Sequence, residues 1–141
     1  MRAYFFQNFY LQGIHAGIQS QHTTAEMFVK YSIGSEQHSM LFDWAINHKT
    51  TIVLNGGMQS DLLYIEDLLE YSKFPWASFR EERDALNGAL TNIGIILPEY
   101  VYNAPKYIDG HNEFYCHFAD TDLLFYDMEF VKLLQTKRLM T

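Results

Sequence analysis

The sequence predicts a single α/β domain: a mixed sheet of four or five strands, helices on both of its faces, and a further helix at the C-terminal end. Three observations predict it. Short β-branched or aromatic runs alternate with longer stretches of helical periodicity, the order that sets a sheet among helices. At 141 residues the chain has the length of one domain, and such a domain buries roughly two thirds of its unfolded surface, enough for a core without disulfides or metal. The hydrophobic fraction of 48%, with 16% aromatic, exceeds that of a disordered chain. Eleven Phe and ten Tyr ask for a thick core or a sizeable interface, and a homodimer contact is expected beside the core.

Ala3 to Tyr10, AYFFQNFY, reads as a first strand whose near-continuous apolar character suits burial on both faces. Gln12 and Gly13 break it, and from Ile14 through Ile33 the periodicity is helical, closed by Gly34. Ser35 is placed to cap a second helix that runs to about His48. Thr50 to Leu54, TTIVL, is a short β-branched strand, and Asn55-Gly56-Gly57 turns the chain out of it. A third helix starts at Ser60 or Asp61, with Leu62, Ile65, Leu68, Leu69 and Ser72 on one face, and stops before Pro75.

Trp76 to Phe79 is a third strand; charged residues from Arg80 to Asp84 and a loop with Asn87-Gly88 lead to a buried fourth strand, Thr91 to Leu97, ended by Pro98. Glu99 to His117 shows little regularity beyond a short strand near Phe114 to His117. Asp120-Thr121-Asp122 offers a cap for a last helix, whose face runs Leu123, Leu124, Met128, Phe130, Val131 and Leu134 and whose end carries Lys137 and Arg138. No repeat or linker divides residues 1–141.

Charge and cysteine usage narrow the function classes. The formal net charge is −7, and the ten Lys and Arg are dispersed apart from Arg80 with Arg83 and Lys137 with Arg138. This disfavours tight non-specific nucleic-acid binding, which needs clustered cations against phosphate. Cys116 is the only cysteine, so there is no internal disulfide and no cysteine-built zinc site. No apolar run reaches the roughly 18 residues of a membrane span and no signal peptide is evident, so a cytoplasmic protein without a membrane partner is expected.

The functional lead is IHAGIQSQHTTAE, from Ile14 to Glu26. On a helix, His15, Gln19, His22 and Glu26 form one polar stripe, beside an apolar stripe of Ile14, Ile18, Ala25 and Val29. A purely structural account has His22 bonded by Glu26 one turn on, Gln19 bonded to a neighbouring loop, and His15 solvated at the helix start. A metal site is not expected, because His15 and His22 lie about 10 Å apart along a helix. Gly56-Gly57 follows a strand but has neither a G-x-G-x-x-G pattern nor a Walker lysine, and reads as a turn. Tyr100, Tyr102, Tyr107 and Tyr115 could stack a base, form an interface or cover a sheet face.

The order strand, two helices, strand, helix, strand, loop, strand, with Gln and His three apart in the first helix, resembles the type II peptidyl-tRNA hydrolases over roughly Ala3 to Pro98. That family follows its first strand with Gly-Lys and a small-residue helix in the pattern K-x-x-x-Q-x-x-H. His15, Gln19 and His22 stand at those spacings, with His15 in place of the catalytic lysine. TIVLNG and LLYIEDLLEYSKF look like its second strand and third helix, and TNIGIILP like its last strand. Its Asp-Ala-Gly segment falls on Arg80-Glu81-Glu82-Arg83-Asp84, so Glu81, Glu82 or Asp84 takes the acidic role.

The resemblance implies a peptidyl-tRNA-hydrolase-II-like fold, with residues 99–141 as an extension outside the family's usual core. It implies hydrolysis of the ester joining a peptide to the terminal ribose of tRNA, with no cofactor and no metal, at His15, Gln19, His22 and one of the three carboxylates. A second reading is a non-catalytic binding protein, an inhibitor or sponge, that holds a small nucleotide-derived ligand or a protein partner. The acidic balance, the missing lysine and the aromatic C-terminal third favour that reading.

Overall fold

The computed structural model describes residues 1–82 and 88–140. Four strands, β1 (Arg2–Asn8), β2 (Thr51–Gly57), β3 (Trp76–Arg80) and β4 (Leu90–Leu97), form one mixed sheet in the order β2-β1-β4-β3. β1 pairs with β2 in parallel and with β4 in antiparallel fashion, and β3 also runs antiparallel to β4. Among the described residues the helices are α1 (Ile14–Lys30), α2 (Glu36–Asp43, continuing through a π-helical turn over Trp44–His48), α3 (Gln59–Leu69), α4 (Glu99–Tyr102), α5 (Glu113–Phe118) and α6 (Phe125–Thr136). None is long and apolar enough to cross a membrane.

The pleat of β1 sorts the interior into two layers. Tyr4 and Phe6 join Leu62, Ile65, Leu69, Ile93, Ile95, Phe130 and Val131 in the larger cluster, whereas Ala3 and Phe5 join Met27, Leu41, Trp44 and Ile96 in the smaller. α3 and α6 therefore cover one face and α1 and α2 the other. α2 begins as its sequence requires: the Ser35 hydroxyl accepts from His38 N–H at 3.1 Å. α3 holds its first turn by Asp61, whose carboxylate accepts from Met58 N–H at 2.9 Å.

The face α1 turns to the sheet is not the apolar one. Its buried residues are Ala16, Gln19, Ser20, Thr23 and Met27, whereas Ile14 is 77% and Val29 82% exposed and Ile18 and Ala25 also face outward. Close approach explains this. A Cβ on Gly94 of β4 would lie 2.6 Å from the Phe5 ring and 2.9 Å from Thr23 Cγ2, so helix and strand meet where only small side chains fit. The hydroxyls that this buries are satisfied within the helix, Ser20 Oγ donating to Ala16 O at 2.7 Å.

One further expectation changes. The segment Phe114 to His117 is helical, within α5, because Phe114 and Phe118 fall one turn apart and bury together, their rings 5.2 Å apart. Among the described residues the sheet has four strands, within the four or five expected, and the chain end lies along the outer edge of β2: Asn55 N–H donates to Arg138 O at 2.8 Å and Met140 N–H to Val53 O at 2.9 Å. Residues 99–136 are part of the main core, contributing Val101, Phe114, Phe118, Leu123, Phe130, Val131 and Leu134. The tyrosines belong to that cover. Tyr107 and Tyr115 enclose Lys132, whose Nζ lies 4.1 and 4.9 Å from their ring centres, and Tyr102 stacks under Arg2 at 4.1 Å.

Candidate functional site

α1 crosses β3 in antiparallel sense, and three contacts in step fix its register. Gln19 Nε2 donates to Glu81 Oε1 just past the end of the strand. One turn further along the helix, the His22 ring stacks on Phe79 with centroids 4.7 Å apart and planes 19° from parallel. At the helix end, Lys30 Nζ donates to Trp76 O at 2.9 Å and sits 3.6 Å from the centre of the indole. Partial burial lowers the Lys30 pKa from its ordinary value.

Beneath Gln19 lies a polar interior. Gln7, Ser20, Thr23, Thr91 and Asn92 are all buried. In the strand register Asn55, Gln7, Asn92 and Phe79 stand side by side across all four strands. Asn92 is the hub: its Nδ2 donates to Gln7 Oε1 at 2.8 Å and to Ser20 Oγ at 3.3 Å, and its Oδ1 lies 2.7 Å from Thr23 Oγ1. Thr91 Oγ1 lies 3.5 Å from Gln19 Oε1 and 3.4 Å from Phe79 O, so its one proton serves either. The Gln7 carboxamide is fully buried, and its Nε2 has no partner among the described residues.

Thr91 also lines a cleft of about 410 Å³, with Asn8, Tyr10, Leu11, Gln59 and Ala89. This cleft opens at the C-terminal ends of the parallel strands β1 and β2, the end at which open α/β sheets receive ligands. Gly13, with φ +62°, turns the chain from β1 into α1. Arg80 takes no part: its guanidinium grips Glu66 on the opposite face at 2.7 and 2.9 Å, which holds that carboxyl below its ordinary pKa.

Of the residues singled out from the sequence, Gln19 and Glu81 are in direct contact, and His22 stands one turn from Gln19 on Phe79. Gln19 is 7% exposed, whereas His15, His22 and Glu82 are solvent-exposed. Asp84 lies outside the described residues, as does Arg83, the expected neighbour of Arg80 in a basic patch. Among the described residues no three His, Cys, Asp or Glu side chains converge as a metal site. Gln7, Thr91 and Asn92 were not singled out, although each interrupts an apolar strand run, where a polar side chain must find a buried partner. Comparison with protein-family models and with curated proteins finds no match.

Proposed function

We propose that the cluster of Gln19, His22, Glu81 and Thr91 is a remodelled peptidyl-tRNA-hydrolase-like centre that cleaves an ester between an acyl or peptidyl group and the terminal ribose of tRNA. The observation that supports this is the Gln19–Glu81 hydrogen bond. It brings a carboxylate from the end of β3 to the Gln-x-x-His helix, as the resemblance asks of one of three acidic candidates. In this reading Glu81 takes a proton from water, the water oxygen adds to the ester carbonyl, and the ribose oxygen leaves with that proton, giving a free carboxylic acid and a tRNA hydroxyl. Gln19 orients Glu81, and His22 donates to the carbonyl oxygen as charge develops on it. His15 stands where the family has a lysine, an exposed imidazole in place of a permanent cation.

The test is hydrolysis of an N-acylated aminoacyl-tRNA by the full chain. Glu81→Gln and His22→Ala are each expected to lower the rate by about 10²–10⁴-fold, with the fold intact by circular dichroism. Absence of turnover by the wild-type chain at stoichiometric enzyme would overturn the reading. The net charge of −7 favours the second reading, a binding protein for a nucleotide-derived ligand or a protein partner. A thermal-shift panel of nucleotides and cyclic nucleotides tests its ligand arm, since a ligand held by the folded state raises Tm by mass action.

A further inference from the structure

α1 is an inverted helix. At about 100° per residue, its buried set of Ala16, Gln19, Ser20, Thr23 and Met27 lies opposite a set of Ile14, Ile18, Gln21, Ala25 and Val29. That second set is solvent-exposed and carries no charge, in a chain of net charge −7. An uncharged, largely aliphatic ridge about 22 Å long on the outward face of α1 takes no part in the core.

We infer that this ridge is a twofold interface with a second copy of the chain, the two α1 helices packing antiparallel about an axis between Gln21 and His22. Self-complementarity identifies the occupant. About that axis Ile14 meets the second copy's Val29, Ile18 meets its Ala25, and Gln21 meets its His22, so a bulky side chain lies against a small one in the central pairs and no charge is buried. Hydrogen-bonding groups also match on the flank. Glu26 and His15 lie on the same side of the ridge, and the twofold brings Glu26 of one copy to within about 3 Å, along the axis, of the second copy's His15. The pairing occurs twice, and it places His15 of one copy beside the His22 and Glu26 edge of the other. Exposed Tyr10 and Ile33 lie just beyond the two ends of α1. The inference does not depend on the hydrolytic reading.

Sedimentation velocity of the full chain over two orders of magnitude in concentration is the experiment, with Ile18→Glu, Ala25→Lys and their equimolar mixture. The wild-type chain is expected to shift from monomer to dimer. Each variant alone is expected to associate about a hundredfold more weakly, because an unpaired charge is buried, while its melting curve stays near that of the wild type since both positions are exposed. The mixture is expected to recover the dimer, the new carboxylate of one chain facing the new ammonium of the other. A wild-type chain that stays monomeric, a dimer indifferent to Ile18→Glu, or a mixture that fails to pair would each overturn the inference.

Discussion

Asn92 joins the sheet to α1 through the Gln7 carboxamide, the Ser20 hydroxyl and the Thr23 hydroxyl. Asn92→Leu removes all three contacts and leaves the buried Gln7 carboxamide without a partner, while Ser20 and Thr23 keep their backbone acceptors within α1, at an expected cost of about 1–3 kcal/mol, read as a lower midpoint in urea unfolding. Gln7→Leu is expected to cost less, under about 1 kcal/mol, because it also removes the unpartnered Nε2 while Asn92 keeps Ser20. Glu66 supplies a pH-dependent term. Arg80 depresses its folded-state pKa below the ordinary 4.5. The stabilisation is therefore present above that value and is lost as pH falls through the depressed one. The pair is partly exposed, so Glu66→Gln is expected to cost at most about 1 kcal/mol at neutral pH, and the Tm difference from the wild type should vanish in acid.

The docking of α1 depends on the absence of a side chain at Gly94. Gly94→Ala would place a methyl group against the buried Phe5 ring and Thr23, and is expected to destabilise by about 1–3 kcal/mol through overpacking. Because Gln19 and His22 ride on this helix, the same substitution should displace them from Glu81 and Phe79. A hydrolytic activity should then fall more than the stability loss alone explains, which the rate measured well below the variant's Tm would show. Small side chains at α1's inner face thus set the position of Gln19 and His22 as well as filling the core.

For the molecule as a whole, the C-terminal third completes the larger core. Phe6 meets Phe130 edge-on at 5.7 Å, and Gln135 ties the loop before α5 to α6 by accepting from Tyr107 N–H at 2.9 Å and donating to Pro105 O at 3.0 Å. Truncation after Pro98 is expected to give a chain with no cooperative unfolding transition, because it uncovers Phe6, Leu62 and Ile65 together. Truncation after Thr136 removes only the segment along β2. It should fold with a slightly lower Tm and aggregate more readily, having an open sheet edge, which light scattering during refolding would detect.

Strand and helix order as far as Pro98, the Ser35 cap, the apolar face of α3 and the Gln-x-x-His spacing were legible in residues alone, because each rests on local periodicity or on one side chain meeting a nearby backbone group. Residues alone specify an α/β chain with a mixed sheet of four or five strands and a polar first helix. Tertiary structure decided which face of that helix is inside. Periodicity reports that Ile14, Ile18, Ala25 and Val29 share a stripe, but the direction of that stripe depends on Gly94 and Phe5, distant in sequence. Which carboxylate reaches Gln19, and that residues 99–136 close the core, likewise depend on contacts between segments far apart in the chain. Only the folded sheet brings those segments together.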